Sequence, residues 1–172
     1  MEKNIFTTPD YGVGLIVPTT SNVVVALRTA LENHKEKYPN FQKKYGGFLC
    51  IMDRKKGKII KTVLIGAVPA GKAARYESLA KEKAKRLFSH LNEGHLTSYE
   101  SRDPEADKWG GAILTENLIL SFSGFPEDGD SFICLSTAHT LRDIKKEDEK
   151  RIIVITKTEY LAKLPEIKKL LQ

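Results

Sequence analysis

Eight residues between a strand-like run and a helix, Gly66-Ala67-Val68-Pro69-Ala70-Gly71-Lys72-Ala73, read G-x-x-x-x-G-K-A. That spacing suits phosphate. Backbone N–H groups cradle the anion, the lysine neutralises it, and a following Ser or Thr hydroxyl binds magnesium. Here Ala73 stands at the hydroxyl position, and Pro69 removes one cradling N–H. The run that would supply a metal-binding aspartate, Phe48 to Asp53, is joined to the next by only Arg54-Lys55-Lys56-Gly57-Lys58. Such neighbours pair antiparallel, whereas a nucleotide triphosphatase needs a parallel sheet. What survives is a simpler anion site. Gly66, Gly71, Lys72 and Arg75 surround a helix start and can hold a carboxylate or phosphate of a small ligand.

The other reactive side chains form weaker patterns. His90 and His95 lie five apart at a helix end without a third ligand at metal spacing, and His34 and His139 stand alone. Ser121-Phe122-Ser123-Gly124 closes a strand as a backbone turn rather than as a nucleophile elbow. Glu127, Asp128 and Asp130 form an acidic group at a helix start, where carboxylates favour the helix dipole.

These residues need elements to position them. Residues 1–19 read as an irregular arm in which Leu15-Ile16-Val17 adds an edge strand. Thr20 or Ser21 caps a helix whose Val23, Val24, Leu27, Ala30 and Leu31 recur at helical spacing, and Pro39 ends it. A hairpin of residues 48–53 and 59–65 follows, then an amphipathic helix over about residues 73–91. The polar stretch 92–108 is a loop. A second hairpin spans residues 109–114 and 118–123, and Asp128, Asp130 or Ser131 caps a third helix carrying Phe132, Leu135, Ala138 and Leu141. The β-branched run 151–156 predicts a last strand, and residues 160–171 a helix broken or opened by Pro165. Hairpins alternating with helices define an α+β domain around a mostly antiparallel sheet.

Composition agrees with one domain. The chain has 172 residues, 41% apolar and 29% charged, with a net charge of +6. At this size roughly 70% of the unfolded surface can be buried. No run nears about 18 consecutive apolar residues, and the N-terminus lacks a secretory apolar block, so a cytoplasmic location is expected. Cys50 and Cys134 lie in apolar runs and read as buried, inert thiols. The basic residues are interleaved with carboxylates and the aromatics fall at apolar positions, so a solvated mixed-charge surface fits better than a polyanion site.

Two further motifs suggest a relationship. Gly110-Gly111-Ala112-Ile113, a short turn, and Ser121-Phe122-Ser123-Gly124 before an acidic helix start resemble the GlcG/HbpS-like haem-degrading-domain family. Asp53, Gly57, Gly66-Ala67, Ser78 and Lys83-Ala84 follow the same order, so the resemblance covers residues 20–142, with 143–172 as a strand–helix extension. Ala112 stands where the family commonly has Pro, Asn117 replaces a turn Gly, and Phe122 brings a ring that would fill a pocket. The resemblance implies a profilin-like, self-associating domain linked to haem binding or degradation. It adds Gly110, Gly111, Ser123 and Gly124 to the candidate ligand residues. No histidine falls on a family position, so no haem ligand is assigned. The sequence therefore supports a module binding haem, another tetrapyrrole or an acidic small molecule, without catalytic spacing among its polar residues. A silent homo-oligomer and a weak nucleic-acid binder are the alternatives.

Overall fold

The computed structural model describes residues 9–172, with side chains from Val13 onward; residues 1–8, part of the predicted arm, lie outside it. The first helix begins well before the predicted cap. α1 runs Pro9–Asn33 straight through Pro18, so Leu15-Ile16-Val17 is helical and adds no strand. Pro18 lacks the N–H that would bond back to Gly14, yet burial of the helix outweighs that loss. Ile16, Val23, Val24, Leu27, Ala30 and Leu31 form one buried stripe. Thr20 sits on that stripe rather than at a cap, and its hydroxyl meets that of Thr137 at 3.0 Å. Val13–Asn33 is long and apolar enough to cross a membrane by length and composition. In this fold its apolar stripe forms a wall of the core.

β1 (Gly46–Asp53) and β2 (Ile59–Gly66) form the first hairpin, and β3 (Ala112–Leu114) and β4 (Leu118–Ser123) the second. The four strands make one antiparallel sheet in the order β2-β1-β4-β3, with Leu49 opposite both Val63 and Phe122. β3 is shorter than predicted: Gly110 and Gly111 precede it, Gly111 with a φ of +128° and its carbonyl accepting the Phe122 N–H of β4 at 3.0 Å.

α2 (Ala70–Ser89) packs one sheet face against β1 and β4 through Ala80, Ala84 and Leu87. It starts three residues before the predicted position, which puts Gly71 and Lys72 in its first turn. α3 (Glu127–Thr140) and α1 cover the other face. Both faces of β1 and β4 are thus buried, and so are Cys50 and Cys134, whose thiol pKa values burial pushes up. The stretch 92–108 holds three short 3-10 turns.

The final elements depart from the sequence reading. Residues 151–156, predicted as a strand, belong to the helix α4 (Lys146–Thr156). Glu147, Asp148 and Glu149 occupy its first turn, which suits the dipole, and the buried residues Ile152 and Thr156 are four apart. Burying one face at helical spacing outweighs the β-branched preference, and Val154 is left 76% exposed. Two short helices, α5 (Glu159–Ala162) and α6 (Pro165–Leu170), close the chain, and Pro165 opens α6. Tyr160 donates to the Asp128 carboxylate, which ties this end to α3. The α+β class stands, without the C-terminal strand.

Candidate functional site

A cleft of about 490 Å³ opens between the first half of α2, the end of β4 and the start of α3. Four predicted residues line it: Lys72 and Arg75 from α2, and Ser123 and Gly124 from β4 and the turn after it. Gly66 and Gly71 do not. Gly66 is pressed against the Tyr45 carbonyl with a φ of +74°, a turn requirement, and Gly71 faces open space. Spacing at a helix start could not distinguish a glycine that turns the chain from one that touches a ligand.

At the base of the cleft lies an ion pair that sequence reasoning missed. Lys83 and Asp130 are each 2% exposed, and Lys83 Nζ donates to Asp130 Oδ2 and to the Phe122 carbonyl, both at 2.9 Å. Asp130 Oδ1 accepts the Phe125 N–H at 2.8 Å. Burial is the dominant influence and pushes the Asp130 carboxyl up to about 6, against the Lys83 ammonium and the Phe125 N–H, which hold it down. The acidic helix start was read as a dipole effect and a source of caps. Instead Pro126 is the N-cap residue, none of Asp128, Asp130 or Ser131 takes that place, and Asp130 joins α3 to α2 and β4. The detectable signal was a Lys on the apolar side of an otherwise clean helix ladder, at Lys83 between Ala80 and Ala84.

The Gly110-Gly111 pair makes room for this arrangement. A Cβ on Gly111 would lie 2.7 Å from Lys83 Nζ and 2.9 Å from both Asp130 Cβ and the Phe122 carbonyl. Gly110 donates its N–H to Glu127 Oε2 at 2.8 Å, and Arg102 pairs with the same carboxylate at 2.5 and 3.2 Å. Both glycines therefore shape the cleft floor without lining it. Phe122, expected to fill a pocket, points its fully buried ring toward Phe125, centroids 6.2 Å apart, and contributes only its carbonyl to the site.

Of the two predicted cations, one is committed. Arg75 makes two 2.8 Å bonds to Asp107, whose other partner is Trp109 Nε1 at 2.8 Å. The Arg75 guanidinium and the indole hold the Asp107 carboxyl below its usual range. Lys72 has no ion pair or hydrogen bond from its side chain among the described residues. Ser123 is 3% exposed, lines the cleft, and its hydroxyl makes no hydrogen bond to a described residue. Lys44 reaches in beside Tyr76, its Nζ 3.4 Å from the phenol oxygen. A free ammonium, an unused hydroxyl and the rings of Tyr76, Trp109 and Phe125 together suit an acidic group on an apolar body.

For haem, propionates would find Lys44 and Lys72; no His, Cys or Met lines the cleft, and of the side chains that serve as haem-iron ligands it offers Tyr76, whose phenol oxygen lies 3.4 Å from Lys44 Nζ. His90 and His95 stack on each other at 5.0 Å beyond the C-terminal end of α2, and His139 pairs with Glu149 at 2.6 Å. Among the described residues no three His, Cys, Asp or Glu side chains gather as a metal site.

Compared with models of known families, with curated proteins and with solved structures, the chain finds no match in any of the three.

Proposed function

We propose that the protein is a cytoplasmic small-molecule-binding module that holds an acidic ligand in the cleft between α2, β4 and α3. The observation that carries this reading is the pairing of unpartnered groups, Lys72 and Ser123, above a base already satisfied by Lys83 and Asp130. The Ser123 hydroxyl, bonded to no described residue, is open to a ligand acceptor in the cleft. Glu127 and Asp130 are each bound to a cation, which holds shape and leaves Ser123 without an activating base. The reading is therefore binding rather than catalysis. The profilin-like GlcG/HbpS resemblance is compatible with it, narrowed to the acidic-ligand form.

Anilinonaphthalene sulfonate, an anionic aromatic probe, is expected to bind with enhanced fluorescence. Lys72→Ala should weaken it about 5–10-fold, the usual worth of one charge-assisted contact at a half-open site. Equal affinity in wild type and Lys72→Ala would sink the proposal. Haemin titration is expected to leave the free-haemin spectrum without a sharpened, shifted Soret band; a ligated spectrum would restore the tetrapyrrole reading.

A homo-oligomeric interaction role is the second reading, and one feature favours it. β2 is an edge strand whose Ile60 and Leu64 are 41% and 48% exposed. Strand edges of this kind pair with other chains. Light scattering at high protein concentration that reports only monomer would remove it.

A further inference from the structure

A second concavity, of about 410 Å³, lies between the C-terminal half of α1 and the segment leading into β1. Arg28, Lys35, Lys43 and Lys44 line it, with Glu32 as the only carboxylate among its lining residues. Lys81, Arg86 and Lys163 each sit beside a carboxylate one helical turn away, Glu77, Glu82 and Glu159. Here only Lys35 has such a neighbour, Glu32 at 4.0 Å. Arg28, Lys43 and Lys44 have no ion pair among the described residues, and the Arg28 Nε is buried without a partner.

The aromatic residues of this region interleave with those cations, contrary to the sequence reading. The Arg28 guanidinium lies over the Tyr45 ring at 5.0 Å, and Lys37, beside the groove, lies over Tyr38 at 5.5 Å; Lys44 turns toward Tyr76 of the neighbouring cleft, 5.8 Å away. Tyr45 is 48% exposed, so one ring face and a row of cations meet the solvent together. Lys43 holds a left-handed φ of 59°, a conformation non-glycine residues adopt at a cost.

We propose that this groove binds single-stranded nucleic acid. Arg28, Lys43 and Lys44 would contact successive phosphates, and Tyr45 would stack on an unpaired base. Cations that track the backbone, with an aromatic ring among them, are the two elements of single-strand binding. A duplex keeps its bases stacked inside and would offer the ring nothing. The site is separate from the acidic-ligand cleft except for Lys44, which lines both.

The test is fluorescence anisotropy of a fluorescein-labelled dT15 oligonucleotide. Binding is expected at 50 mM salt, falling about 15–60-fold at 200 mM, as release of counterions from three or four phosphates requires. Tyr45→Ala should weaken binding about tenfold while Tyr45→Phe keeps it, because stacking needs the ring and not the hydroxyl. Lys43→Asn, which tolerates the left-handed backbone, should also weaken binding and lower the salt slope by about 0.7. Thermal melts confirm that each variant folds. No binding at 50 mM salt, full affinity in Tyr45→Ala, or equal affinity for a 15-base-pair duplex would each overturn the proposal. Loss of binding in Lys72→Ala alone would place the strand in the cleft and overturn it too, whereas failure of the sulfonate probe there leaves the groove unaffected.

Discussion

Lys83→Met is expected to lower the unfolding free energy at pH 7.5 by about 3–5 kcal/mol, the cost of leaving a buried charge unpaired. Asp130 would keep the Phe125 N–H on Oδ1 but lose the ammonium on Oδ2, and its side chain is 2% exposed. For a domain of this length that corresponds to a fall in Tm of roughly 6–20 °C. Asp130→Asn should cost less, because burial already favours the uncharged carboxyl. The double variant Lys83→Met, Asp130→Leu should recover part of the loss, because two apolar side chains desolvate without penalty. A double variant as unstable as the sum of the singles would mean the two residues do not act as a pair. The same carboxyl sets a pH dependence. Its folded pKa of about 6 lies above the ordinary value of 3.8, so between these limits the folded chain holds a proton the unfolded chain has released. This group's contribution therefore favours folding at the acidic end and is lost as pH rises through about 6. Urea denaturation at pH 4.5 and 7.5 should show that contribution in the wild type and its absence in Asp130→Asn.

Gly111→Ala is the second large effect, expected at about 3–5 kcal/mol. A φ of +128° is a backbone region that side-chain-bearing residues scarcely enter, and strain there costs about 1–3 kcal/mol. The added Cβ would also stand 2.7 Å from Lys83 Nζ and 2.9 Å from the Phe122 carbonyl, and relieving such overpacking costs about as much again. The contact is with the buried pair, so the cleft floor should deform as well, and the sulfonate probe should bind more weakly. Gly71→Ala serves as the control. Its Cβ meets nothing within 4 Å in the first turn of α2, so that variant should be neutral or slightly more stable. Equal losses at both positions, read from denaturant midpoints, would contradict the assignment of Gly111 to the pair.

The legible parts of the fold were those where local chemistry and burial agree. Gly57 between two apolar runs, and Thr115-Glu116-Asn117 between two more, mark hairpins because such short connections permit only antiparallel neighbours. The Leu79, Ala80, Ala84, Leu87 ladder marks α2 because helical spacing has no other use there. The errors came where the two disagree. Residues 1–19 read as an irregular arm because Pro and Gly break the pattern, yet from Pro9 onward they are helical, and α1 carries Pro18 within a helix whose stripe is buried against α3 and α6. Residues 151–156 look like a strand by side-chain type. They are a helix because only one face finds a core to enter.

The site divides in the same way. Lys72, Arg75, Ser123 and Gly124 could be named from composition at a helix start and a strand end, and they do line one cleft. Which of the two cations stays free was not a local property. Asp107 lies 32 residues after Arg75 and occupies it only because the 3-10 turn ending at Ala106 brings the carboxylate back over α2. By itself the sequence determined the hairpins, the amphipathic helices and the α+β class, because these follow from the spacing of neighbours along the chain. Only the tertiary structure decided that Lys83 meets Asp130 across 47 residues, that Gly111 must lack a side chain, and that Tyr45 and Arg28 share a basic groove. Ion pairing and close packing act through space, and nothing in the order of residues records which distant partners will come within about 3 Å.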